Sequence, residues 1–210
     1  MRPALPSLAS LCLFTACAAP DLHTERLDLT DLPGVSETPE DVPVMAMWST
    51  TPGSKTDSAV GTALVALLDA AGHSIDASAY EISDPAIVDA LLRAWDRGVH
   101  VRLVSDADEA DGAGFAAITE AGIPVALRPA GDRIMHDKFI VVDRQAVWTG
   151  STNLTPTGLL RNDNDAVLIE SPDLAAAYTA ELDQMAVDGA FGTAKNDLAG
   201  PRDFEVDAAQ

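Results

Sequence analysis

Within the stretch IMHDKFIVVDRQAVWTGSTNL, Ile134 to Leu154, a histidine, a lysine, a serine and an asparagine interrupt what otherwise reads as an apolar hairpin. Taken as two antiparallel strands, MHDKFIVV and AVWTGSTN, with a two-residue turn at Arg144 and Gln145, the stretch sets His136 opposite Asn153 and Lys138 opposite Ser151. Directly opposed residues share a face of a ladder, so this register predicts one convergent set of imidazole, ammonium, hydroxyl and amide. Such a set suits a phosphodiester: an ammonium and neutral donors hold the phosphoryl oxygens while a neutral imidazole attacks phosphorus. His136 would be the nucleophile, Lys138 the charge, and Ser151 and Asn153 the hydrogen-bond donors to phosphate.

The same residues fit a longer pattern. HDKFIVVD matches H-x-K-x4-D, and GSTN comes after it with its glycine seven residues beyond Asp143. This resembles the phospholipase D superfamily, over a span from about Val44 to Val187 that includes AYEISDPAIVDALLRAWDRGVHVRLVSD. The resemblance implies a phospholipase D-like domain in which the motif histidine attacks phosphorus to give a phosphohistidine, and a second motif histidine protonates the leaving oxygen and later activates water. No metal or other cofactor is implied. Carried over by residue, His136 is the nucleophile or acid and Lys138 the phosphate clamp, with Ser151 and Asn153 as phosphate-side donors. Asp143 is the motif aspartate, counted with the catalytic set although more structural than chemical, since a carboxylate beside a turn accepts local bonds. Where single-motif nucleases of the superfamily carry a histidine-orienting glutamate, this chain has Asn164, flanked by Asp163 and Asp165. An amide orients a ring but does not stabilise an imidazolium as a carboxylate does, which implies reduced activity. One motif supplies one histidine, and single-motif members of the superfamily pair two chains; the expectation is a homodimer with His136 of each chain in a shared cleft.

Around the hairpin, strand and helix signals alternate. A strand at Val44–Thr50 precedes a helix over 55–72, with apolar residues at 60, 64, 67, 68 and 71. A buried strand over 74–82 leads into a helix capped by Ser83 or Asp84, with Pro85 in its first turn and Gly98 as its stop. A strand over 99–106, a helix over 112–121, a strand over 123–129, a strand at DAVLIES and a helix begun by Ser171 and Pro172 complete the order. The fold class is α/β: a mixed sheet flanked by helices on both faces. His73 and His100 each open a strand without polar partners, and His23 lies outside the domain; all three read as surface or structural. Arg161 and Asn162 come soon enough after the hairpin to line a cleft.

The ends of the chain belong to other tasks. Residues 1–17, one arginine and an apolar run ending in FTAC, read as an export signal of the lipoprotein type, with Cys17 as the lipidated residue; plain secretion is the alternative. Residues 18–43, rich in proline and with seven acids against one arginine, read as a disordered tether. Residues 188–210 read as a loosely ordered tail. Cys12 and Cys17 are the only cysteines, so the domain has no disulfide and no thiolate metal site. The chain reads as an exported bacterial protein, membrane-anchored through its lipid or else periplasmic or secreted.

Charge bears on substrate. The net charge of −20 is spread along the chain, and an acidic surface repels polyphosphate at long range. The leading expectation is therefore a phosphodiesterase acting on phospholipid head groups. The alternatives are a metal-independent endonuclease with the same chemistry, and a catalytically silent member that binds phosphate.

Overall fold

The computed structural model describes residues 44–49, 58–131 and 133–196. The expected export signal with Cys17, the expected tether and the end of the expected tail lie outside them.

Seven strands form one mixed sheet. In chain order the elements are β1 (Val44–Ser49), α1 (Ala59–Ala70), β2 (Ser74–Ala79), α2 (Pro85–Asp96), β3 (His100–Asp106), α3 (Ala113–Glu120), β4 (Val125–Arg128), β5 (Lys138–Val142), β6 (Ala146–Gly150), α4 (Pro156–Leu160), β7 (Asn164–Glu170) and α5 (Pro172–Ala186). Across the sheet the order is β1-β7-β6-β5-β2-β3-β4. The β2-α2-β3-α3-β4 segment is parallel, as helical crossovers require, and every other pair is antiparallel.

The caps stand where the sequence puts them. Ser58, Asp84 and Ser171 each accept backbone N–H bonds from the first turn of their helices, and Pro85 and Pro172 open α2 and α5, where a missing N–H costs nothing. Gly98, with φ of 83°, ends α2 in the left-handed conformation that glycine adopts without strain.

Alternation along the strands divides the core in two. Ile75, Ala77, Val101, Leu103, Ile140, Val142 and Trp148 face α1, α2 and α3. Val104, Phe139, Val141 and Val147 face α5 through Ala175, Leu182 and Met185. Helices thus cover both faces, as the α/β reading requires. Leu64, Leu68, Ile87 and Leu91 are at most 1% exposed, and burial of each contributes about 2 kcal/mol. Under α5 lies an ion pair: Asp76, 2% exposed, accepts two bonds from Arg102, which also reaches Asp183 of α5.

Two expectations need correction here. The tail is not loose from its first residue: Ala190 N–H donates to the Gln184 carbonyl, Asn196 N–H to Gln184 Oε1, and Lys195 bonds Glu181, so residues 188–196 fold back on α5. The hairpin strands are also shorter than their apolar runs: β5 starts at Lys138, not Met135, and β6 stops at Gly150, not Asn153.

Candidate active site

Strand direction gathers the polar residues at one edge of the sheet. β5 runs antiparallel to β2 and β6, so it begins where those strands end, and β7 begins where β6 ends. β3 and β4, parallel to β2, finish at the same edge. His136 and Lys138, Ser151 and Asn153, and Asn164 and Asp165 therefore all stand at this edge. His73, His100 and Asp143 stand at the opposite one.

Asp143 is thus a correction to the catalytic set. It lies beyond the far end of β5, roughly 16 Å along the strand from Lys138 at about 3.3 Å per residue. Its carboxylate accepts the backbone N–H groups of Gly72, His73 and Ser74, fastening the start of β2 to the hairpin turn. The motif aspartate is structural.

The turn also corrects the register. Three residues, Asp143 to Gln145, connect the strands; Asp143 and Arg144 both have positive φ (53° and 57°), and Gln145 N–H bonds the Val142 carbonyl at 3.0 Å. Val142 pairs with Ala146 and Phe139 with Thr149, one residue away from the expected pairing. A one-residue slip exchanges the faces: Lys138 falls opposite Gly150, and His136 does not oppose Asn153. The four polar residues share a sheet edge, not a ladder face.

The backbone at Gly150 determines how Ser151 is used. Gly150 has φ of 156°, and a Cβ on it would lie 2.3 Å from the Asp165 carbonyl oxygen, so only glycine lets β7 approach this closely. Ser151 N–H then donates to the Asp165 carbonyl at 3.1 Å, and Ser151 Oγ accepts the Asp165 N–H at 3.0 Å, in the place a backbone carbonyl would take in a continued ladder. The same hydroxyl has Asp165 Oδ1 at 2.6 Å and Asn164 Oδ1 at 3.1 Å. Asn164 Nδ2 donates to the Gly158 carbonyl. Ser151, Asn164 and Asp165 thus clamp α4 to the start of β7. Asp163, Arg161 and Asn162 are exposed on the connection between them.

Asn153 is different. Its Oδ1 is buried and has no hydrogen-bond partner among the described residues. Buried amide oxygens are normally paired, which makes this oxygen an exception at the edge of the site.

Lys138 carries the strongest electrostatic signal. It is 8% exposed, and its Nζ donates to the His136 carbonyl at 3.0 Å. Burial pushes its ammonium below the ordinary lysine range, and neighbouring Asp137 offsets only part of that. A buried cation held by a carbonyl, with no carboxylate bonded to it among the described residues, is poised for an anion.

Four residues unmarked by motif complete the surroundings. Tyr80, just past β2, lies edge-to-face on His136 with ring centroids 5.1 Å apart, and its ring centroid is 5.9 Å from Lys138 Nζ. Its hydroxyl donates to Glu109 at 2.7 Å, and that bond raises the phenol to about 12. Fully buried Asp106 accepts the Met135 N–H at 2.6 Å and so fixes the segment that carries His136. Arg128 lies 3.7 Å from Asp106. The only sequence signal for Tyr80, Asp106 and Arg128 is position, at or just past strand ends on one edge.

His136 itself is exposed and opens onto a cleft of about 610 Å³. Arg128, Arg133 and Lys195 line it together with Ile134, Met135 and Phe191. Two of these cations have carboxylate partners: Lys195 pairs with Glu181 and lies 3.7 Å from Asp137, which also lines the cleft, and Arg128 lies 3.7 Å from Asp106. Among the described residues no cluster of histidine, cysteine or carboxylate could hold a metal ion.

A family model described as cardiolipin synthase, PLD-like domain, matches residues 64–186. The chain belongs to the phospholipase D-like family. Among family members, a mitochondrial cardiolipin hydrolase of Xenopus laevis is 33% identical over 132 residues, 62% of each chain. A phospholipase D of Rickettsia felis is 37% identical over 114 residues, 53% of this chain and 56% of the relative. The chain thus spans little more than half the length of the curated relatives it matches. Among solved structures, the phospholipase D family member Nuc of Salmonella typhimurium superposes with a TM-score of 0.58 at 32% identity, covering 67% of this chain and 93% of Nuc. The phospholipase D-like fold of this chain is therefore shown by both sequence and structure.

Proposed function

We propose that this chain is a metal-independent phosphodiesterase that acts through a covalent phosphohistidine at His136 and hydrolyses the head-group ester of a phospholipid. The observation that carries the reading is Lys138: a buried ammonium beside an exposed histidine, bonded to a carbonyl and not to a carboxylate. Placing a phosphate there supplies the missing counter-charge. His136 attacks phosphorus, the phosphorus–oxygen bond to the leaving alcohol breaks, and an acid protonates that oxygen. Water then attacks the phosphohistidine and regenerates His136.

The second histidine comes from a second copy of the chain in this reading. A symmetric dimer sets the two His136 side chains on opposite sides of phosphorus, one as nucleophile and one as acid and then base. The exposure of His136 at an open edge is compatible with that arrangement. Export and a lipid anchor at Cys17 would bring the cleft to a membrane surface. Ile134, 52% exposed beside His136, and Arg133 on the same cleft favour an amphiphile with an anionic head. The nuclease reading has its own support in the likeness to Nuc. A silent phosphate-binding protein is the third reading, favoured by the amide at Asn164.

Purified chain, assayed with EDTA on labelled phosphatidylcholine and on single-stranded DNA, separates them. Head-group release by the wild type but not by His136→Ala supports the lipid reading. DNA cleavage without lipid turnover moves the assignment to a nuclease, and no turnover of either moves it to phosphate binding. A sedimentation mass of one chain with full activity would sink the shared site.

A further inference from the structure

The chain lacks a carboxylate at position 164, where the superfamily's single-motif nucleases carry the group that orients the histidine, and the amide there is bonded to Gly158 and Ser151. The side chain that does lie against the His136 imidazole is Tyr80, centroid to centroid 5.1 Å with the planes at 60°. Edge-to-face rings at this separation attract each other through their quadrupoles, and the attraction falls away if either ring turns. The same phenol ring stands 5.9 Å from Lys138 Nζ, within range for a cation on an aromatic face.

Tyr80 is itself fixed at two points. Its carbonyl accepts the Ser105 hydroxyl at 2.9 Å, and its own hydroxyl donates to Glu109 at 2.7 Å. Glu109 belongs to a 3₁₀ turn, Ala107–Glu109, whose Asp108 N–H is held by the buried Asp106 at the end of β3. A phenol that donates to a carboxylate is also richer in electron density than a free one, which strengthens its hold on a neighbouring cation.

We propose that Tyr80, locked by Glu109, is the positioning residue of this site: its ring sets the orientation of the His136 imidazole and steadies the Lys138 ammonium, the role a carboxylate at position 164 would otherwise fill. The inference rests on His136 being the nucleophile. Glu109 acts at one remove, through the Tyr80 hydroxyl. The other charged groups around His136 are Lys138 and Asp137 on its own segment and Arg128, Arg133 and Lys195 around the cleft. None of them stacks on the ring.

Two measurements on the full chain test this. The first is kinetic, on Tyr80→Phe, Tyr80→Leu, Glu109→Ala and the double variant Tyr80→Phe/Glu109→Ala. Tyr80→Leu is expected to lower kcat about tenfold with KM unchanged, and Tyr80→Phe about threefold, the sizes expected for losing an aromatic pair and for loosening one. Glu109→Ala should match Tyr80→Phe, and the double variant should be no worse than either, because both changes remove one hydrogen bond. Additive losses, a change confined to KM, or full activity in Tyr80→Leu would overturn the proposal. The second readout is independent of activity: nuclear Overhauser contacts between the Tyr80 and His136 ring protons, expected in the wild type and lost in folded Tyr80→Leu. A wild type that turns over no phosphodiester defeats the assignment of function and leaves these contacts to decide the positioning role; their absence from the wild type defeats that role.

Discussion

Lys138 donates its ammonium to the backbone carbonyl of His136, 3.0 Å away, so the two motif residues are tied by the main chain of one and the side chain of the other. The bond points the charge back towards the start of β5, where His136 opens to solvent, and leaves two ammonium protons for another acceptor. It also gives the motif spacing a physical reason. With one residue between them, the lysine at the first position of the strand reaches back over the residue that precedes it.

Holding that charge in a buried place costs stability. Lys138→Met keeps the length and removes the charge, so it should raise stability by about 1–2 kcal/mol while abolishing turnover, the pattern of a site kept for function. Urea denaturation and a phosphodiesterase assay on the same preparation check both halves. Because burial lowers the Lys138 ammonium, binding of a phosphate analogue should weaken as pH rises through a value below the ordinary lysine range. Titrating tungstate affinity against pH reads this directly.

The Tyr80–Glu109 bond has its own titration signature. The chain holds two tyrosines, Tyr80 and Tyr178, so absorbance of the ionised phenol in Tyr178→Phe reports Tyr80 alone. Tyr80 should release its proton near 12, and in Glu109→Gln it should move back towards 10. The sign is that of a raised folded-state value: the contact stabilises fully below pH 10 and fades as pH climbs towards 12.

Gly150→Ala should damage both fold and site. The added methyl would meet the Asp165 carbonyl at 2.3 Å and the Ala166 Cα at 2.7 Å, both backbone atoms that move only if β6 and β7 part. A loss of about 2 kcal/mol is expected, with turnover reduced further than stability alone explains, because Ser151 and Asn153 come directly after it. Thermal melting alongside kcat at a temperature where the variant is folded checks this.

Asp143→Ala should give the opposite separation. It strands three backbone N–H groups at the head of β2, each able to turn to water at this exposed edge, so about 2 kcal/mol of stability is lost while kcat of the folded protein stays near that of the wild type. A large fall in kcat would return the aspartate to the chemistry.

How legible this was in the sequence depended on the range of the signal. Helix caps such as Asp84 and Ser171 act within three residues, and apolar alternation in β3 acts within six, so both were readable. The hairpin register depended on whether two or three residues made the turn, and Asp143–Arg144 adopts positive φ without the Asn-Gly signal that would have announced it. That single residue moved Ser151 from the face of Lys138 to the clamp on Asp165. The helix α4 is not legible from periodicity although Thr155 and Pro156 spell its start, since five residues carry too little of it. Tyr80, Asp106 and Arg128 come to the site from three separate strands, and only the sheet order joins them.

The most direct measurement is rapid-quench trapping of the enzyme during turnover of a phospholipid labelled in its phosphatidyl portion, then peptide mapping. A phosphatidyl group attached to the peptide that contains His136, labile to acid, formed with EDTA present and absent from His136→Ala, is expected. Turnover that proceeds with no labelled peptide, or with the label on any other residue, would contradict the assignment of His136 as the nucleophile.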